Sequence, residues 1–252
     1  MTGARRGATG GHKNIGCFMK HVAAGLGAGL LALSLTALPS FAAPSATELF
    51  FDTPYLMQVA PGTTLDYRYR HKSTEERLGE SFDETMAMDV TADPQDASGR
   101  VADVEITRGT RESEAGPFPS MKGNPIALVL LEREVREMAQ LTKGSPFYLR
   151  NRLREHLASA AVEPASFEFD GRKVEGWRMT MVPFAEDPNR DKLAELVGRR
   201  YEFLFSDAVP GGLYSIDVVT PKADGSSNII ETSLTLTGAR APAAKEAGGG
   251  TP

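Results

Sequence analysis

Two pairs of methionines at alternate positions, Met86-x-Met88 and Met179-x-Met181, are the side chains whose type and spacing most invite chemistry. Alternate residues of a strand share one face, so each pair sets two thioethers side by side. Trp177 joins the second pair on that face, and Phe203 and Phe205 on a following strand offer wall for the same space. Three uses fit such a surface. Flexible thioethers fill irregular cores, they line pliable apolar cavities that adapt to a lipid-like ligand, and paired thioethers bind Cu(I). The candidate ligand residues are therefore Met86, Met88, Trp177, Met179, Met181, Phe203 and Phe205.

Other constellations point to less. Once a leader at the N-terminus is set aside, only His71 and His156 remain, both flanked by charged residues and read as solvated surface groups. That leaves no Ser-His-acid arrangement and no set of zinc ligands to expect. Asp187-Pro188-Asn189-Arg190-Asp191 opens like a calcium loop, but Lys192 stands where that loop needs glycine, and a helix cap explains it better. Glu75-Glu76 reads as a solvated turn. Arg150, Arg152 and Arg154, with Arg199-Arg200 later, form the one basic concentration; they suit an anionic head group or pair with acids such as Glu155 and Glu202. Gly116–Asn124, with Phe118 and Met121 among prolines and glycines, reads as a connection forming a lip or tucking under a sheet. No catalytic residue and no cofactor is expected.

The elements that must position these residues are strands and three helices. Leu65, Tyr67 and Tyr69, then Met86, Met88 and Val90, then Ala102, Val104 and Ile106 alternate with polar residues, the period of half-buried strands. Asn124-Pro125, Ser145-Pro146 and Asp187-Pro188 each place a capping residue before a proline, which predicts helices over about 125–142, 146–161 and 188–197. Phe167 and Phe169 lead into Asp170-Gly171, a type I′ hairpin signal, with Trp177, Met179 and Met181 on the returning strand. Strands over 201–206, 213–220 and 228–237 complete the list. Hairpin-linked alternating strands imply an α+β fold: a curved antiparallel sheet of about eight strands, half-barrel-like, packed against a mid-chain helical hairpin and one short helix.

The chain's address lies in its first 42 residues. Lys20 and His21 precede the uncharged run Val22–Leu38, and Ser40-Phe41-Ala42 supplies a small-residue cleavage site, so residues 1–42 read as a secretory signal peptide. Residues 1–18 read as an over-extended start, with Met19 the natural one. The run is short for a membrane anchor, Cys17 precedes it where a lipidated cysteine would follow, and Arg5-Arg6 lacks the apolar sequel of a twin-arginine signal. The leader contains Arg5, Arg6, Lys13, Lys20 and no acid, so its removal takes the formal net charge from −5 to −9 and removes the single cysteine. Hydrophobic residues at 41% and charged residues at 24% exclude a disordered chain, and the acidity argues against nucleic acid as partner. Without cysteines or glycosylation sequons, the exported domain is expected to be bacterial and periplasmic, not integral to the membrane. Residues 43–238 read as one domain and 239–252 as a disordered tail.

Together with Ser206-Asp207-Ala208-Val209-Pro210-Gly211-Gly212-Leu213 between two late strands, the leader and the element order resemble uncharacterised secreted bacterial proteins with a curved antiparallel sheet over helices. More distantly they resemble the half-barrel periplasmic carriers of lipoproteins and lipids. The resemblance implies a fold and a non-enzymatic role in holding a hydrophobic ligand or partner; no functional residue transfers, and the mid-chain helical hairpin departs from it. A structural protein of the envelope with a closed core and an envelope partner, and Cu(I) binding through the M-x-M pairs, remain the alternatives.

Overall fold

The computed structural model describes residues 43–119 and 122–242. The leader and residues 243–252 of the expected tail lie outside the described residues, as does Met121. Two short helical turns, Glu48–Asp52 and Tyr55–Gln58, open the described chain. Strands β1 (Thr63–Ser73), β2 (Phe82–Ala92), β3 (Arg100–Arg108) and β4 (Arg111–Pro119) follow, then helices α1 (Pro125–Thr142) and α2 (Pro146–Ala158). Strands β5 (Ala161–Phe169) and β6 (Arg172–Met181), helix α3 (Arg190–Leu193), and strands β7 (Arg200–Phe205), β8 (Leu213–Pro221) and β9 (Asn228–Arg240) complete it.

These strands form one open antiparallel sheet in the order β4-β3-β2-β1-β9-β8-β7-β6-β5. It is the curved α+β architecture expected, with nine strands instead of eight. The extra strand is β4, whose sequence RESEAGPFP was read in part as a loop. Its charges and prolines are those of an edge strand, which need satisfy only one neighbour. The opposite edge, β5, likewise carries Pro164 and starts at Ala161, earlier than Phe167. At the other end of the chain β9 runs to Arg240, two residues into the segment expected to be tail, because Ala239 and Arg240 pair with Leu65 and Thr64.

The topology dictates where the helices lie. The chain leaves the sheet at one edge and rejoins it at the other, so α1 and α2 cross its inner face. Eight gaps of about 4.8 Å give a flat width of roughly 38 Å, whereas an 18-residue helix such as α1 is only about 27 Å long. A flat sheet of this width could not be covered by two helices, and curvature brings its flanks around them.

The inner face is continuous. Met179, Phe203, Ile216, Leu234 and Tyr69 are successive cross-strand partners from β6 to β1, and all are buried. Each such side chain contributes about 1.5–3 kcal/mol by leaving water. The outer face is charged: Arg240 Nε and Nη2 meet the Asp66 carboxylate at 2.6 and 2.8 Å, and Arg178 reaches Glu163 at 3.1 Å. That division is why the strands alternate.

Of the three expected caps, Asn124 behaves as read. Its Oδ1 accepts from the Ile126 N–H at 3.1 Å, while Nδ2 donates to the Gly211 carbonyl at 2.8 Å and to Tyr67 Oη at 3.2 Å. Gly211 belongs to the Ser206–Leu213 turn, where Gly211 and Gly212 both adopt φ of 73°. A Cβ on Gly212 would fall 1.9 Å from a Tyr55 ring carbon, so glycine is required for this approach. Asn124 thus ties a helix start to a turn 87 residues away. Replacing it with alanine is expected to lower unfolding free energy by about 2–3 kcal/mol, combining a lost cap with buried partners left unpaired. The check is a shift in urea midpoint at unchanged slope.

Ser145 precedes α2 but makes no side-chain cap hydrogen bond, and the third cap also differs from expectation. Asp187 is buried, with Tyr148 Oη at 2.6 Å, Arg152 Nε at 2.9 Å and the Asn189 N–H at 2.7 Å, and Asn189 precedes a helix only four residues long. Its carboxylate therefore fastens the stretch before α3 to α2. Burial opposes ionisation, but the Tyr148, Asn189 and Arg152 hydrogen bonds outweigh it and hold the carboxyl below the usual range.

Candidate functional site

Side-chain volume is distributed unevenly along the inner face. On the β6–β7 flank it is Trp177, Met179, Met181, Tyr201, Phe203 and Phe205. Phe50 packs edge-on against Phe203 at 5.6 Å, and Tyr55 stacks on Phe205 at 5.9 Å, so this flank is filled. On the β3–β4 flank the inward residues are Ala102, Val104, Ile106, Ser113, Ala115 and Phe118, mostly small. Interiors pack near crystal density, and a flank short of volume leaves a void unless a neighbour moves in.

That void is a cavity of about 670 Å³ between the β3–β4 flank and the two long helices. This lies within the range of small-molecule sites, about 300–1,000 Å³. The sheet contributes Ile106, Ala115 and Phe118, and the first helical turn Phe50 and Phe51. Helix α1 supplies Leu128, Leu131, Glu132 and Val135, the i, i+3, i+4, i+7 stripe of one helix face. From α2 come Arg150, Leu153, Arg154 and Leu157 at the same spacing. The cavity opens to solvent beside Leu128 and Phe51, which are 48% and 36% exposed.

Helix α1 therefore has two apolar faces. Ile126, Leu130 and Met138 pack in the core, and Leu128, Leu131 and Val135 face the cavity. The sequence signal for the second face was an apolar arc too wide for one contact surface, combined with small residues on β3 and β4. Phe118, expected as lip or tuck, is half-buried on the cavity wall.

The seven residues named from the sequence lie elsewhere. Met86 and Met88 are fully buried on β2, opposite Tyr67 and Leu65 on one side and Ile106 and Val104 on the other. Met179, Met181, Phe203 and Phe205 are buried together on β6 and β7, and Trp177 is half-buried opposite Phe205. The strands β1, β9, β8 and β7 separate the two methionine pairs. None of the seven lines the cavity described above.

Charge is organised around α1. Glu134 and Arg199 are both fully buried; Arg199 Nε donates to Glu134 Oε2 at 3.0 Å, Nη2 to Glu137 at 3.2 Å and Nη1 to Thr220 Oγ1 at 3.4 Å. Burial pushes the Glu134 carboxyl up to about 7; Arg199 opposes that rise and the neighbouring Glu137 adds to it. Nearby, Glu84 is clasped by Arg108 and Arg133, each at 2.6 Å, with Arg108 lying over the Phe82 ring and Arg133 over Tyr69. His71, expected at the surface, is only 5% exposed: it stacks on Phe82 at 5.1 Å and meets Thr232 Oγ1 at 3.1 Å. Its position on β1 is in phase with Tyr67 and Tyr69, and the charged neighbours that suggested exposure point to the outer face. Burial lowers its pKa.

The basic concentration resolves into separate roles. Arg152 is committed to Asp187 and Glu155, and Arg199 to the core. Arg150 forms a two-pronged contact with Glu132 at 3.0 and 2.8 Å. Arg154 has no ion pair or hydrogen bond among the described residues and borders the cavity. Among the described residues no three His, Cys, Asp or Glu side chains converge as metal ligands. None of their helices is long and apolar enough to cross a membrane.

No protein-family model and no curated protein sequence matches this chain. Among solved structures the chain is similar to the lipoprotein LppX of Mycobacterium tuberculosis, with 12% identity and a TM-score of 0.30, over 71% of this chain and 87% of that one.

Proposed function

We propose that this is an exported, non-enzymatic protein that binds a hydrophobic ligand in the cavity between the β3–β4 flank and helices α1 and α2. The observation that carries the reading is the cavity itself: about 670 Å³, walled by Phe50, Phe118, Leu131, Val135, Leu153 and Leu157, and reached past exposed Leu128. An apolar concavity of this size left to water loses the stabilisation that an apolar occupant supplies. The residues bordering it are mostly apolar, and Glu132 and Arg150 among them are paired with each other across the two helices. Export and a periplasmic address rest on the leader pattern of residues 1–42.

The test uses the exported protein after leader removal. The neutral fluorophore N-phenyl-1-naphthylamine is expected to bind with one-site stoichiometry and to brighten and shift to the blue on binding. Native mass spectrometry of the gently purified protein is expected to show a lipid-sized adduct that organic extraction removes. Neither an adduct nor saturable fluorophore binding would sink the reading. A bound copper ion in place of a lipid would favour the methionine-site alternative.

A further inference from the structure

We propose, resting on the ligand reading above, that the cavity is built for an anionic amphiphile: an alkyl tail among the apolar walls and a carboxylate or phosphate head held by Arg136, at the end away from Leu128. The charged residues bordering the cavity are Arg133, Arg136, Arg150 and Arg154 against Glu114 and Glu132, a cationic excess in a chain whose formal net charge is −5. A local field opposite in sign to the molecule's net charge selects for the sign of what enters.

Two of the four arginines are already engaged. Arg133 is committed to Glu84 at 2.6 Å, and Arg150 holds both oxygens of Glu132. Arg136 has only the same Glu132, at 3.5 Å from Nε, and its side chain is 70% exposed. Arg154 is unpaired among the described residues. Arg136 is therefore available to a ligand head, and a guanidinium matches planar oxyanions in a two-pronged geometry; Arg154, four residues past Arg150, falls level with Leu128 at the other end.

The cavity is also polarised from end to end. The Arg150–Glu132 contact fixes the register of the antiparallel helix pair. In that register Leu128 and Leu157 lie toward one end with Phe51, and Arg136 lies toward the other. Arg133 and Arg136 border a second, polar cavity of about 560 Å³ that also touches Glu76, Arg77, Glu80 and Gln140. The apolar space thus meets a more polar one at Arg136, the arrangement an amphiphile requires and a wholly apolar ligand does not.

The experiment displaces N-phenyl-1-naphthylamine with two probes of equal chain length, dodecanoate and 1-dodecanol, with dodecyl phosphate as a second anion and acetate and inorganic phosphate as heads without tails. Both long-chain anions are expected to compete about tenfold or more better than the alcohol. The isolated heads are expected to compete not at all. In the R136Q variant the anion preference should fall to near unity while R154Q, altered at the opposite end, keeps it, and added salt should weaken only the anions. Equal competition by dodecanoate and dodecanol in the unaltered protein overturns the proposal, as does a preference that survives R136Q. Either result leaves the ligand reading standing, since that reading fails only if the fluorophore itself does not bind.

Discussion

Arg199→Met is expected to destabilise the protein by about 3–5 kcal/mol, more than a typical core truncation of one or two methylene groups. The guanidinium is fully buried, and removing it strands Glu134, equally buried, with no cation in contact. Glu134 Oε1 and Glu137 Oε1 already lack a hydrogen-bond partner among the described residues, and Arg133 acts on Glu134 only at a distance. The double variant Glu134→Leu/Arg199→Met should recover most of the loss, because a buried pair replaced by apolar side chains is often neutral. The pH dependence has a definite sign. A carboxyl whose folded pKa is raised stabilises the fold below its unfolded value and loses that contribution as pH rises through the folded value. Glu134 is already raised to about 7 by burial, and losing Arg199 raises it further. The single variant should therefore lie closer to the parent near pH 5 than near pH 8. Guanidinium denaturation at both pH values checks this, and a deficit larger in acid would contradict it.

Filling the cavity is the second large effect. Ala115 points into it from the edge strand β4, opposite Val104. Ala115→Trp is expected to weaken N-phenyl-1-naphthylamine binding at least about tenfold, or about 1.4 kcal/mol. Overpacking a dense core costs about 1–3 kcal/mol, but an indole entering vacant space avoids most of that. The denaturation midpoint should thus stay near that of the parent. Met86→Leu/Met88→Leu is the matching control. Such volume-conserving swaps cost less than about 1.5 kcal/mol each, and the probe affinity should not change. If the methionine variant loses binding and Ala115→Trp keeps it, the site belongs on β2 and not on the β3–β4 flank.

The contrast between these two variants shows what the sequence carried. Alternation and turn signals identified eight of the nine strands, since Leu65, Tyr67, Met86, Met88 and their partners must leave water wherever the sheet sits. They also placed the methionines on one face each. Alternation does not say how much space remains opposite a face, because that depends on the summed volume of side chains from distant elements. The cavity arises where Ile106, Ser113 and Ala115 come together on neighbouring strands, and each is unremarkable alone. β4 escaped notice because an edge strand tolerates charge and proline, which are the signs by which strands are rejected. His71 was misplaced for a related reason: its neighbours in sequence face the opposite side of the sheet. The capping signals were sound at Asn124, where local geometry decides, and failed at Asp187, where Tyr148 and Arg152 recruit the carboxylate from another element.

The prolines of the outermost strands bear on the fate of many copies together. An open sheet exposes a row of backbone donors and acceptors at each border, and such rows template the stacking of identical chains into filaments. Here one border carries Pro117 and Pro119 beside Arg111, Glu112 and Glu114, and the other carries Pro164 between Glu163 and Glu168. Each proline deletes a donor, and like charges meet when two copies align border to border. A sheet left unclosed but guarded in this way offers the strand of a second copy few places to add at either border.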